Sequence, residues 1–217
     1  MCGRFALAVP RRLVAEAIGV PDLPQNVPPR PEICPSELIE AAFVSRETGR
    51  RLAGLFRWGL VPAFRKDQAA RPLINARAET ALDKPAFRGA VRYRRCLIPA
   101  QGFFEWQQGP GGARTRYFLT LPEAPVMALA GIYERAVTAD GEVRDTAAIL
   151  TREASPQMAA IHGRMPLIVP PGAFAAWLDP GLTGRADVAA LLAMAPPLLR
   201  LAPEKGMERA HQGRLDG

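Results

Sequence analysis

The chain has 217 residues, 48% hydrophobic and 23% charged, enough to bury a sizeable core in one domain or two small ones. Lysine and arginine number 28 against 21 aspartate and glutamate, a net charge of +7 that is nearly all arginine. That excess suits a phosphate-bearing partner, because the planar guanidinium fork binds phosphate oxygens bidentately, but a compositional bias of the genome would produce the same count. No stretch reads as a secretory leader or as an apolar membrane span, so a cytosolic protein without membrane contact is expected, and three cysteines without ligand spacing argue against a disulfide framework and a metal site.

In chain order, short apolar segments alternate with turn signals. Strands are predicted over 5–9, 39–44, 52–60, 72–76, 96–98, 103–106, 117–121, 126–133, 146–150 and 166–169. Helical spacing is confined to 10–18, 172–178 and 186–195, with a short helix opened by Ser155 and Pro156. Residues 107–116, rich in glycine and proline, read as a hairpin loop. Many short, closely spaced strands predict an α+β fold with a mainly antiparallel, β-barrel-like core and peripheral helices. Neither a repeat nor a linker divides the chain, so residues 1–202 are read as one domain and the polar stretch 203–217 as a disordered tail.

Four polar constellations stand out. The chain opens Met1-Cys2-Gly3-Arg4-Phe5. Removal of Met1 would leave an α-amine and a thiol on one residue, and such a 1,2-aminothiol condenses with aldehydes to a five-membered thiazolidine. A free α-amine titrates near about 7.7–8.0, so a useful neutral fraction exists at physiological pH. Taken by position alone, Cys2 reads as an incidental residue of a frayed terminus. In Leu73-Ile74-Asn75-Ala76-Arg77, an amide and a guanidinium alternate and so share one face of a strand, where they either grip a carbonyl or phosphate or simply face solvent. Glu105 lies among aromatics in Gly102-Phe103-Phe104-Glu105-Trp106, a setting that fits a carboxyl for acid–base work and equally suits a salt-bridged residue. His162, in Ile161-His162-Gly163-Arg164-Met165-Pro166, is one of two histidines and falls at a predicted helix end, the common place for a capping imidazole.

Together these segments resemble the SOS response-associated peptidase (SRAP) family, whose members cross-link to abasic sites in single-stranded DNA through an N-terminal cysteine. Met1–Phe5, Arg57-Trp58-Gly59-Leu60-Val61-Pro62, Ile74–Thr80, Lys84-Pro85-Ala86-Phe87-Arg88, Arg95-Cys96-Leu97-Ile98-Pro99-Ala100, Gly102–Trp106 and Ile161–Pro166 follow the family's order and span the chain to about residue 180. The resemblance implies that Cys2, Asn75, Glu105 and His162 are catalytic, that Met1 is self-removed, and that no cofactor is needed. In this reading Glu105 frees the Cys2 amine, His162 shuttles protons and Asn75 holds the Cys2 main chain or the sugar oxygen. The implied partner is single-stranded DNA containing abasic sites, bound by a monomer in the cytoplasm at the nucleoid. Arg4, Arg77 and Arg164 would contact phosphates, with Trp58 and Phe64 stacking or wedging against a base. Two other readings stand beside it: an N-terminal-nucleophile peptidase or amide hydrolase acting through Cys2, and a non-covalent single-strand binding module. The chain departs from the family pattern at Glu32, Gln101 and Phe104. A carboxylate at position 32 would repel phosphates if it faced the DNA cleft.

Overall fold

The computed structural model describes residues 2–64, 72–137 and 143–204. In chain order the elements are β1 (Phe5–Leu7), α1 (Arg11–Ile18), β2 (Arg30–Ile33), β3 (Leu38–Val44), β4 (Arg51–Trp58), β5 (Asn75–Arg77), α2 (Ala78–Ala81), α3 (Pro85–Tyr93), β6 (Arg95–Ala100), β7 (Gly102–Gln108), β8 (Arg114–Thr120), β9 (Met127–Val137), β10 (Val143–Glu153), α4 (Pro156–Ala159), β11 (Arg164–Pro166), β12 (Ile168–Val169), α5 (Phe174–Leu178), α6 (Arg185–Leu192) and β13 (Arg200–Pro203).

Two sheets carry the architecture. In the larger one, β10, β4, β3, β6 and β9 pair in that order and β9 returns to β10, closing a five-stranded barrel. All of these pairings are antiparallel except β10 with β4. Closure leaves no free edge among these strands, and their inner faces hold Ile39, Ala41, Ile98, Leu129, Ile149 and other fully buried apolar side chains. The second sheet runs β13-β8-β7-β1-β2. The α+β class and the barrel-like core read from strand spacing are therefore the observed fold.

Local chemistry explains the ends of several elements. Gly19 closes α1 in the left-handed conformation, φ 63°, and returns its N–H to the carbonyls of Ala15 and Glu16. Ser155 caps α4 by accepting from the Met158 amide, as its pairing with Pro156 predicts. The helix α3 is absent from the sequence expectations: Gly89 and arginines at 88 and 92 obscure its apolar face, although Pro85 at its first turn is a good start signal. Arg95 is nearly fully buried and donates to the carbonyls of Trp177, Val91, Arg92, Asp179 and Leu182, tying α3 to the turn after α5. The predicted loop 107–116 is shorter than expected, since β7 runs to Gln108 and β8 resumes at Arg114. At the chain's other end, β13 pairs Pro203 with Tyr117, and the rest of the predicted tail, 205–217, lies outside the described residues.

Burial leaves a pH signature. The thiols of Cys2 and Cys96 have no exposed surface, and desolvation pushes both well above the ordinary thiol range, for Cys2 with a further push from Glu105. A folded-state pKa raised above the unfolded value contributes stability below the unfolded value, near about 8.5 for a thiol, and loses it as pH rises beyond. Under reducing conditions the unfolding free energy should therefore fall by about 1.4 kcal/mol per pH unit for each thiol as pH rises from 9 to 10. Chemical denaturation at pH 8, 9 and 10 checks this, and Cys96→Ala should remove about half of the slope; an unchanged slope in that variant contradicts it.

Candidate active site and nucleic-acid face

The site is assembled where the second sheet meets the barrel strand β10. The register of β1 on β7 pairs Phe5 with Phe103, and Phe104 donates to the Arg4 carbonyl, so the segment before β1 runs beside Glu105 and Trp106. Cys2 is buried there, and the Glu105 charge acts on its thiol. On the barrel side, β5 lies parallel to β10 with Asn75 beside Ile149 and Arg77 beside Thr151. Asn75 Nδ2 donates to the Cys2 carbonyl at 2.8 Å. Its Oδ1 is buried and accepts no hydrogen bond from the described residues.

The fourth residue arrives from the loop between α4 and β11. The Arg164 amide donates to His162 Nδ1 at 2.9 Å, and the Arg164 carbonyl lies 3.2 Å from the same nitrogen. A neutral ring accepting at Nδ1 carries its proton on Nε2, whereas a charged ring donates from Nδ1 to that carbonyl. Both protonation states thus have a main-chain partner at Nδ1. His162 and Glu105 line one cavity of about 630 Å³, together with Trp106, Arg114 and Ile161. That volume admits a nucleotide-sized group. Two other hollows, one of about 890 Å³ beside α1 and an apolar one of about 570 Å³ between α1 and α5, include none of the four residues. The structure thus brings Asn75 to Cys2, Cys2 within range of the Glu105 charge, and Glu105 to His162.

The expected DNA contacts fare unevenly. Trp58 has no exposed surface: its ring packs edge-on against Phe5 at 5.2 Å and its Nε1 donates to the Ile74 carbonyl at 2.9 Å. Stacking of Trp58 on a base is therefore corrected, since a side chain enclosed by the core offers no face to a ligand. Phe64 is 67% exposed. Arg77 is exposed, with no ion pair among the described residues. Arg164 is engaged: it meets Glu79 with two bonds of 2.8 Å and donates to the Thr151 carbonyl at 2.8 Å. Burial acts to raise the Glu79 carboxyl, but hydrogen bonds from Arg164 and from main-chain amides outweigh it and hold the group below its usual range. Arg4 lies against Glu32.

Three residues of this face lie outside the sequence expectations. Trp106 pairs with Arg116 and Gln108 with Arg114 in the β7–β8 hairpin, so Trp106 and both arginines share one face. The guanidinium carbons of Arg4, Arg114 and Arg116 lie 5.8, 5.7 and 5.6 Å from the Trp106 ring centre, and Arg116 sits 3.8 Å from that of Phe104. Such spacings are those of cation–π contacts. The i, i+2 arginines of β8 are the legible signal, hidden because the glycines and proline of residues 107–116 read as loop. Among the described residues no cluster of three or more histidine, cysteine, aspartate or glutamate side chains is placed to hold a metal, and no helix is long and apolar enough to cross a membrane.

Comparison with known proteins agrees with this architecture. The chain is 36% identical over 186 residues to the abasic site processing protein YoaM of Bacillus subtilis (strain 168), covering 83% of this chain and 80% of that protein. It is 27% identical to the mouse abasic site processing protein HMCES, covering 83% of this chain and 65% of the relative. A crystal structure of a protein from Bacteroides thetaiotaomicron superposes with a TM-score of 0.80 at 23% identity, covering 94% and 92% of the two chains, a likeness of fold. The model of the SOS response associated peptidase (SRAP) family matches residues 1–203, and the chain belongs to that family.

Proposed function

We propose that this protein processes abasic sites in single-stranded DNA by forming a covalent thiazolidine between Cys2 and the ring-opened sugar. The observation that supports the reading is a chain of neighbours: the Cys2 main chain held by Asn75, the Cys2 thiol under the charge of Glu105, and Glu105 sharing with His162 a cavity whose lining does not include Cys2 or Asn75. The abasic-site processing named for the Bacillus and mouse relatives supports the same substrate.

The chemistry balances without an outside reagent. After Met1 is removed, Glu105 takes a proton from the Cys2 ammonium, and the nitrogen attacks the C1′ aldehyde carbon. His162 passes a proton to the departing hydroxyl, and water leaves to give the imine. The Cys2 sulfur then adds to the imine carbon while its proton moves to the nitrogen, closing the ring. Asn75 Oδ1 accepts a hydrogen bond from a sugar hydroxyl or from the Cys2 amine. Arg77, Phe64 and the Trp106 face, with Arg4, Arg114 and Arg116 around it, hold the strand by phosphate contact and stacking.

The pressure on the thiol separates this reading from the hydrolase. A thiol kept protonated by burial and by Glu105 is a poor opening nucleophile. Attack by the amine first, with sulfur second, suits that environment better than acyl transfer begun by a thiolate.

Intact-mass spectrometry before and after incubation with abasic single-stranded DNA tests the proposal. The expected result is a chain lacking Met1 whose mass rises by that of the DNA less one water. An unmodified mass with hydrolysis of a peptide or amide substrate would favour the hydrolase. Glu105→Gln and His162→Ala should each slow adduct formation by about 10²–10⁴-fold, the range for general acid–base groups. Single-turnover rates at saturating DNA measure this, and rates within about threefold of wild type would remove those roles.

A further inference from the structure

Glu32 occupies an unusual place on the nucleic-acid face. It projects from β2, at the edge of the second sheet, yet its two carboxylate oxygens meet different arginines: Oε1 pairs with Arg4, and Oε2 lies 3.2 Å from Arg116 of β8. Both arginines stack on Trp106, at the rim of the cavity that Glu105 and His162 line. One oxygen to each of two guanidinium groups is also the arrangement that the two non-bridging oxygens of a phosphodiester adopt between paired arginines.

We propose that Glu32 holds, in the free protein, the seat between Arg4 and Arg116 that a DNA backbone phosphate takes in the complex, and so sets the affinity of this face for single strands. The inference rests on the reading that the protein binds single-stranded DNA. Side-chain exposures of 46% for Arg4, 30% for Arg116 and 29% for Glu32 make these solvent-screened pairs, which contribute little and are readily exchanged for another anion. Burial acts to raise the Glu32 carboxyl, but Arg4 and Arg116 together hold it below its ordinary range, so the seat is filled by an anion at neutral pH. Arg116 also carries Glu204 at 3.0 Å, so Glu32 is what neutralises Arg4 and completes the neutralisation of Arg116. A strand arriving at this face must displace the carboxylate before a phosphate can lie across Trp106. The result is a face that discriminates against weakly held, undamaged strands while leaving the covalent chemistry at Cys2 untouched.

Glu32→Gln keeps the shape and removes the charge. The measurement is fluorescence anisotropy with a labelled, undamaged single-stranded oligonucleotide across a salt titration, beside the rate of denaturation-resistant adduct formation on a saturating abasic strand. Glu32→Gln should bind several-fold tighter than wild type, with a log-log salt slope steeper by about 0.7 for each additional phosphate neutralised. Its adduct rate at saturation should equal that of wild type. Glu37→Gln changes net charge equally at an exposed carboxylate paired with Arg30 and should alter neither quantity. Equal or weaker binding by Glu32→Gln, or equally tightened binding by Glu37→Gln, overturns the inference while leaving adduct formation by wild type intact. Wild-type protein that neither binds single strands nor forms an adduct overturns the functional reading and this inference with it.

Discussion

Cys2→Ala protein should give no adduct with abasic single-stranded DNA that survives denaturation, whereas wild type should give one without any reducing agent. The alanine variant retains the α-amine, so it still attacks the aldehyde and loses water to form an imine. An imine without a neighbouring thiol hydrolyses when the protein unfolds, and only reduction with borohydride would trap it. In wild type the Cys2 sulfur removes the imine by closing a ring. Cys2→Ser should resemble the alanine variant, since a hydroxyl is a far weaker nucleophile near neutral pH. Because Cys2 is fully enclosed, both substitutions need a folding control, and the thermal transition of each variant supplies it. Adduct yield is read after boiling in denaturant, with and without borohydride. Equal yield and equal stability for Cys2→Ala and wild type without reductant would mean that another amine is the nucleophile.

Trp58→Ala should destabilise the protein by about 3–5 kcal/mol, the cost of removing a large aromatic from a core that cannot collapse around the gap. The indole is fully buried, packs edge-on against Phe5 and donates to the Ile74 carbonyl. Two effects therefore add: a cavity at the base of β1, and the loss of one of two donors to the Ile74 carbonyl, which keeps the Ile149 amide at 3.1 Å. Ile74 precedes Asn75, so the same loss should loosen the amide that holds the Cys2 carbonyl. Trp58→Phe keeps part of the packing and should cost less. Denaturant unfolding gives the stability, and anisotropy at a temperature where the variants remain folded gives single-strand binding. Wild-type stability with lost binding in Trp58→Ala would restore the tryptophan as a base-stacking residue and count against the enclosed position.

The residues proposed for the chemistry are more legible in the sequence than the residues that grip DNA, and the reason is physical. Cys2, Asn75, Glu105 and His162 stand out because polar groups within apolar segments are costly to bury unless something uses or satisfies them. Arginine carries no such mark. It suits phosphate recognition, surface solvation and structural bonding alike, so nothing local distinguishes exposed Arg77 from Arg164 clamped on Glu79, or either from buried Arg95 bonding five carbonyls. Trp58 misleads for the opposite reason: an aromatic beside an arginine reads as a stacking platform, and only enclosure by β1 and the chain before β5 shows it to be core. Trp106, which does carry arginines on its face, escapes notice because its partner strand reads as loop.

What the amino-acid sequence determined by itself is whatever depends on residue type and short-range order. The α+β class with a barrel-like core follows from strands of short, regular spacing. The Ser155 cap follows from a hydroxyl placed before a proline at a helix start. The aminothiol chemistry of Cys2 follows from its functional groups. What only the tertiary structure decided is which distant groups share space. The return pairing of β9 to β10 closes the barrel and sets β5 beside β10, with Asn75 at the Cys2 carbonyl 73 residues away in sequence. The pairing of β2 with β1 lets Glu32 reach Arg4 and Arg116 across the sheet. Contacts of this kind depend on strand order and register, which arise from the cooperative burial of the whole core, and no local window of sequence encodes them.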